Sequence, residues 1–160
     1  MNTARIHIDL TRQQLLFEQG RRRVKYCVST SRYGAGEVSG SECTPRGMHI
    51  VRARIGSGAP SGTVFVGRRS TGEICTPALY ATAPDRDWIL TRILWLSGTE
   101  PGCNRLGRVD TLRRYIYIHG CPDAVPLDVP SSHGCIRMRN VDLIDLFDRV
   151  AVGTPVMIEE

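Results

Sequence analysis

Short runs in which apolar and polar residues alternate dominate this chain, and helical spacing occurs only once. Residues 5–10, 14–18, 23–28 and 48–55 change character at nearly every step, as extended strands with one buried face do. Gln19 and Gly20 turn the second run into the third, giving a meander. Residues 63–66 and 156–158 read as shorter strands, and residues 88–96, dense in β-forming apolar side chains, as a central one. Gly/Ser-rich loops cover 29–42 and 56–62, residues 67–72 read as a turn, and 97–109 as a surface excursion. The exception begins at Asn140, a candidate helix cap, with Asp142 in the first turn and Val141, Ile144, Phe147 and Val150 at i, i+3 spacing. Leu143 and Leu146 widen that face. The pattern predicts a single, mainly β domain over residues 1–160, a mixed sandwich or open barrel with one helix near the C-terminal end.

A chain of 160 residues can bury a real core, and its 41% hydrophobic content suits a globular one. The net charge of +5 favours anionic ligands. Nucleic acid is a poor fit: the run Arg21, Arg22, Arg23 has no interleaved aromatics and suits a solvated hairpin end. No apolar run near Met1 is long enough for a signal peptide or membrane anchor. That predicts a cytoplasmic protein if Met1 is the native start, and a periplasmic one if an export signal has been removed. The six cysteines are scattered without a Cys-x-x-Cys pair, so free thiols are expected.

Residues 115–140 concentrate the chemistry. Residues 115–118 read as a buried strand ending on His119 and Gly120. Pro122, Pro126 and Pro130 bar a helix in the loop that follows, and Ser131, Ser132, His133, Gly134 and Cys135 lead through a turn to the helix. A cysteine attacks as thiolate, so it needs a lowered pKa or a positioned base. Nearby His133, Arg137, Arg139 and the helix start could each stabilise negative charge on the Cys135 sulfur or on a nearby oxyanion, with His119 as the base if the loop folds back. Gly134 permits unusual dihedrals, so the amides of Gly134 and Cys135 could form an oxyanion hole. Arg137 and Arg139 share a phase and could each bind a carboxylate. His7 reads as a surface residue and His49 as a hydrogen-bonded structural one. The competing metal site, His119 and Cys121 with His133 and Cys135, has a His-x-Cys spacing atypical of zinc.

Tyr117-Ile-His-Gly followed by Ser132-His-Gly-Cys-Ile-Arg-Met138 resembles the signature of the L,D-transpeptidase catalytic domain, the YkuD family. The segments at 28–31, 40–47 and 109–117 resemble further blocks of it, so the likeness covers nearly the whole chain. The resemblance implies that Cys135 is the nucleophile, His119 the general base, the Gly120 carbonyl its orienter and His133 a residue shaping the site. Arg137, Arg139, Ser132 and Tyr117 are the candidates for substrate contact. It also implies a peptidoglycan stem tetrapeptide or muropeptide fragment as substrate, acylation by carbapenem-type β-lactams, and no metal, organic cofactor, nucleic-acid or membrane partner. Together with a cytoplasmic location, that predicts an L,D-carboxypeptidase releasing D-alanine during wall recycling. The alternatives are a crosslinking transpeptidase and an inactive binding module of the same fold. Two positions depart from the pattern: Cys121, where relatives often carry threonine, and Asp128, where glycine is common.

Overall fold

Ten strands and two helices follow one another in the computed structural model, which describes residues 3–160. They are β1 (Ala4–Asp9), β2 (Gln14–Gln19), β3 (Arg22–Ser29), β4 (Gly47–Ile55), β5 (Thr63–Val66), β6 (Arg69–Ile74), α1 (Pro77–Thr82), β7 (Ile89–Gly98), β8 (Tyr117–Gly120), β9 (Ile136–Met138), α2 (Asn140–Arg149) and β10 (Pro155–Glu159). The order β4-β10-β1-β2-β3-β9-β8-β7 closes on itself because β7 also pairs with β4. The sheet is therefore a closed barrel, with no free edge on those eight strands. Inward-facing Ile6, Ile8, Leu15, Phe17, Val28, Ile118, Ile136, Met138 and Ile158 join one buried cluster that also takes Leu143, Leu146 and Phe147 of α2. Each such side chain contributes about 1.5–3 kcal/mol.

Strand β7 organises the neighbourhood of the site. Ile93 to Gly98 pair with β4, whereas Ile89 and Leu90 pair with β5, so the β5–β6 hairpin extends the sheet beyond the barrel. Between these two ladders the register shifts, and Thr91 sits there at φ 77°. This bulge turns the Thr91 hydroxyl onto Asn140 Oδ1 at 2.7 Å.

The mainly β expectation holds, with local differences. α1 is a second helix: Thr76 accepts the Leu79 amide and Pro77 opens the first turn, but six residues are too few to show a stripe. Residues 69–74 form β6 rather than a turn. Tyr115 lies before its strand, exposed and at φ 55°, because residues 110–115 form turns. Residues 97–109 are not wholly a surface excursion: β7 runs to Gly98, and buried Asn104 ties the segment to the Arg46 and Met48 carbonyls. Arg139, not Asn140, caps α2. Val141 is 74% exposed; at about 100° per residue it lies opposite the Leu143–Leu146–Phe147 face, since a stripe stepping only by three drifts around the helix. His49 is fully buried between the Gly47 carbonyl and the Thr111 hydroxyl, as expected of a structural histidine.

Candidate active site

Strands β8 and β9 are parallel, with Ile118 opposite Ile136, His119 opposite Arg137 and Gly120 opposite Met138. The two-residue period sends Ile118, Ile136 and Met138 into the barrel core and puts Tyr117, His119, Cys135 and Arg137 on the other face. All four line one cavity of about 280 Å³, together with Arg68, Asp87, Arg114 and the rim residue His133.

His119 Nδ1 lies 2.7 Å from the Gly120 carbonyl. A carbonyl only accepts, so Nδ1 carries the proton and Nε2 presents a lone pair. Burial lowers the pKa of His119, which keeps the ring neutral. Gly120 is required for packing: a Cβ there would run into Asn140 Oδ1 and approach the Leu90 carbonyl to 2.7 Å. The Asn140 side chain, freed from capping, donates to the Cys121 carbonyl at 3.2 Å and accepts from Thr91, so it buttresses the segment that holds the imidazole.

The Cys135 sulfur accepts the Tyr117 amide at 3.3 Å, and its S–H faces the Tyr115 carbonyl at 3.4 Å. Burial pushes the thiol up to about 12, against the opposing Tyr117 amide and the charges of Arg137 and Arg114. On the resting sulfur the neighbouring amide and guanidinium groups therefore work against desolvation, which acts in the opposite direction.

The turn before Cys135 is held from both sides. Gly134 has φ 127°, and its carbonyl accepts the Thr44 hydroxyl at 2.9 Å, while Thr44 Oγ1 receives the Ser31 amide. The Gly134 amide donates to Ser132 Oγ at 3.2 Å, and that hydroxyl donates to the Cys135 carbonyl at 2.6 Å. At rest the Gly134 N–H and the Ser132 hydroxyl are thus both engaged within the turn, and Ser132, though buried, borders the cavity of Cys135.

Arg137 donates to the Ser131 carbonyl and hydroxyl at 3.3 and 3.2 Å and keeps its place on the cavity wall. Arg139 does not join it: β9 ends at Met138, and Arg139 donates instead to the Asp123 carbonyl at 3.0 Å. Tyr117 contributes its backbone to the sulfur, while its ring packs edge-on against Trp95 and its hydroxyl receives Arg68. His133 is half exposed, 3.3 Å from Glu42 and tilted against Tyr33. Cys121 is buried with its thiol on the Met138 carbonyl and borders the adjoining cavity rather than that of Cys135. No three His, Cys, Asp or Glu side chains converge on a common point among the described residues.

Asp87, Arg68 and Arg114 also belong to this cavity; nothing in the local sequence marks Asp87 or Arg68, and Arg114 falls in the 109–117 block without being singled out there. Arg114 is anchored on the Cys43 and Gly36 carbonyls, and Asp87 arrives from the segment before β7. A second cavity of about 350 Å³, lined by Arg32, Asp85, Trp88 and Pro126, shares Asp87, His133 and Arg137 with the first. The cleft thus has two chambers meeting at those three residues.

The family model of the L,D-transpeptidase catalytic domain (YkuD) matches residues 3–158. No curated protein sequence matches the chain. Among solved structures, the chain is similar to L,D-transpeptidase 3 from Mycobacterium tuberculosis in complex with a faropenem-derived adduct (TM-score 0.59, 17% identity, 99% of this chain and 61% of that one). It is similar also to an L,D-transpeptidase from Mycobacterium smegmatis (TM-score 0.57, 17% identity, 99% and 59%) and to one from Xylanimonas cellulosilytica (0.54, 21%, 99% and 61%). The chain spans about three-fifths of the length of these proteins.

Proposed function

The chain belongs to the L,D-transpeptidase catalytic-domain family, and from that premise we propose that it is a cysteine-dependent acyl-transfer enzyme acting on the L,D peptide bond of peptidoglycan stem tetrapeptides. One observation carries the reading: Cys135 and a neutral His119 with its tautomer set by Gly120 share a face and a cavity. His119 Nε2 removes the thiol proton as sulfur attacks the carbonyl carbon, forming a C–S bond. The resulting imidazolium returns that proton to the leaving nitrogen as the C–N bond breaks, which releases D-alanine and leaves a thioester. The Tyr117 amide, already aimed at sulfur, steadies negative charge there during attack, and the Cys135 amide is the remaining donor of the expected pair for the oxyanion. Arg137 contributes a fixed positive charge on the wall. Carbapenem-type β-lactams would acylate the same sulfur.

The thioester then passes to water or to an amine, with His119 again as base. Water gives tripeptide, the L,D-carboxypeptidase outcome that a cytoplasmic recycling enzyme would use. An amine on a second stem gives a crosslink. The second chamber beyond Asp87, His133 and Arg137 supports the amine branch, since it offers space for an acceptor beside the donor. Incubating the protein with tetrapeptide, alone and with an acceptor amine, and weighing both protein and products tests all of this. An acyl-enzyme on Cys135 with crosslinked dimer is expected. Tripeptide plus D-alanine even at high amine would establish carboxypeptidation instead. Absence of an acyl-enzyme and of both products would refute the acyl-transfer reading.

A further inference from the structure

The hairpin between β5 and β6 turns on two residues, Gly67 and Arg68, with φ 56° and 65°. Both positions of such a turn need positive φ, which glycine and asparagine adopt readily and arginine rarely does. An unfavourable backbone retained at a cavity wall points to a job for the side chain. That side chain is held in place. Its guanidinium carbon lies 4.9 Å from the Trp95 ring centre and 5.0 Å from that of Tyr115, and Nη1 donates to the Tyr117 hydroxyl at 3.0 Å.

What the guanidinium lacks is an anion. No carboxylate pairs with Arg68 among the described residues, and its remaining N–H donors have no partner there. The two other arginines of the same cavity differ: Arg114 is occupied by the Gly36 and Cys43 carbonyls, and Arg137 by Ser131. Arg68 is therefore a planar cation, oriented by two rings and a hydroxyl, with its donors open beside Cys135 and His119.

The donor peptide supplies the missing charge. In a stem ending at D-alanine, the terminal carboxylate sits on the carbon attached to the scissile nitrogen, so it lies within ~4 Å of the reacting carbonyl carbon. It must therefore enter the cavity that holds Cys135. We propose that Arg68 recognises this free C-terminal carboxylate and makes the enzyme select peptides that end one residue past the scissile bond. The inference rests on the proposed function and adds to it the residue that sets the length of the donor.

The test compares tetrapeptide as the free acid with the same peptide as its C-terminal amide. Binding is measured by calorimetry in a Cys135→Ala background, so that no turnover is needed. The free acid is expected to bind ~10- to 100-fold more tightly, the range of a charge-assisted hydrogen-bonded pair. Arg68→Gly, which suits the turn, should abolish the preference while leaving amide binding within ~3-fold, and Arg68→Lys should restore part of it. A preference that survives in Arg68→Gly, or equal loss for both peptides, overturns the role of Arg68. Equal binding of both forms by the parent sinks this inference alone. Binding of neither form sinks it along with the choice of substrate, whereas acyl-enzyme formation is judged separately on the protein with Cys135 intact.

Discussion

Acidification should destabilise this protein well before its carboxylates protonate, because of His49. The residue is fully buried, with Nδ1 on the Gly47 carbonyl and Nε2 on the Thr111 hydroxyl, and burial lowers its pKa from 6.5 to about 4. Between those values the unfolded chain binds a proton that the folded one refuses. Stability therefore falls as pH drops from about 6.5 to about 4 and is indifferent to this group outside the window. A shift of about 2.5 units at 1.36 kcal/mol each amounts to about 3 kcal/mol, a large part of the 5–15 kcal/mol that holds a domain together. His119, also lowered by burial, acts in the same direction. Asp110 and Asp145, held below their usual range, contribute only further into acid.

Urea denaturation at half-unit steps from pH 7.5 to 4.5, followed by circular dichroism, measures the slope. His49→Gln serves as the control. It should cost about 1–3 kcal/mol at pH 7 through imperfect replacement of two buried hydrogen bonds, yet show a visibly shallower fall between pH 6.5 and 4.5. A wild-type stability that stays flat over that interval, or an unchanged slope in His49→Gln, would refute the argument that a desolvated imidazole controls the acid limb.

Since burial keeps the Cys135 thiol neutral, iodoacetamide at pH 7.5 should label exposed Cys103 before Cys135, as peptide mapping would reveal; early labelling of Cys135 would mean a resting thiolate. Gly120→Ala should cost roughly 1–3 kcal/mol from overpacking against Asn140 and the Leu90 carbonyl, and should lower kcat by displacing the carbonyl that orients His119; thermal melts and turnover check the two effects. Asn140→Ala removes the bonds to Thr91 and Cys121 and should lose about 1–3 kcal/mol, with a fall in kcat if the Gly120 segment loosens. Asp128 sits at φ 66°, so Asp128→Gly should relieve roughly 1 kcal/mol and raise Tm in thermal melts.

What the sequence disclosed follows from how local the physics is. The run of large apolar and aromatic residues at 115–118 marked a strand ending on His119, and the mainly β architecture follows from repeating the two-residue period along the chain. Closure was not legible, because the β4–β7 pairing joins segments some forty residues apart and no turn residue records it. The same distance hid the site's outer wall. Asp87 and Arg68 lie in unremarkable surface stretches, and only the bulge at Thr91 and the extra hairpin on β7 carry them to Cys135. The desolvation of the sulfur was not legible for a related reason. Neighbours in sequence can be counted from the chain, but burial depends on everything packed around the atom.

A glycine next to His119 looks from the sequence like conformational freedom, yet Gly120 has ordinary strand backbone and is confined by Asn140 and Leu90. Asn140 looks like a helix cap, yet Arg139 takes that position and the amide turns back toward Gly120. The two residues explain each other: a side chain at 120 would exclude the amide, and without that amide the Thr91 hydroxyl and the Cys121 carbonyl would lose their link. The helix start, the β7 bulge and the segment that carries His119 are thus joined through one half-buried side chain. Burial keeps that imidazole's pKa low and the Gly120 carbonyl fixes its Nδ1, while the junction at Asn140 braces the backbone that carries both.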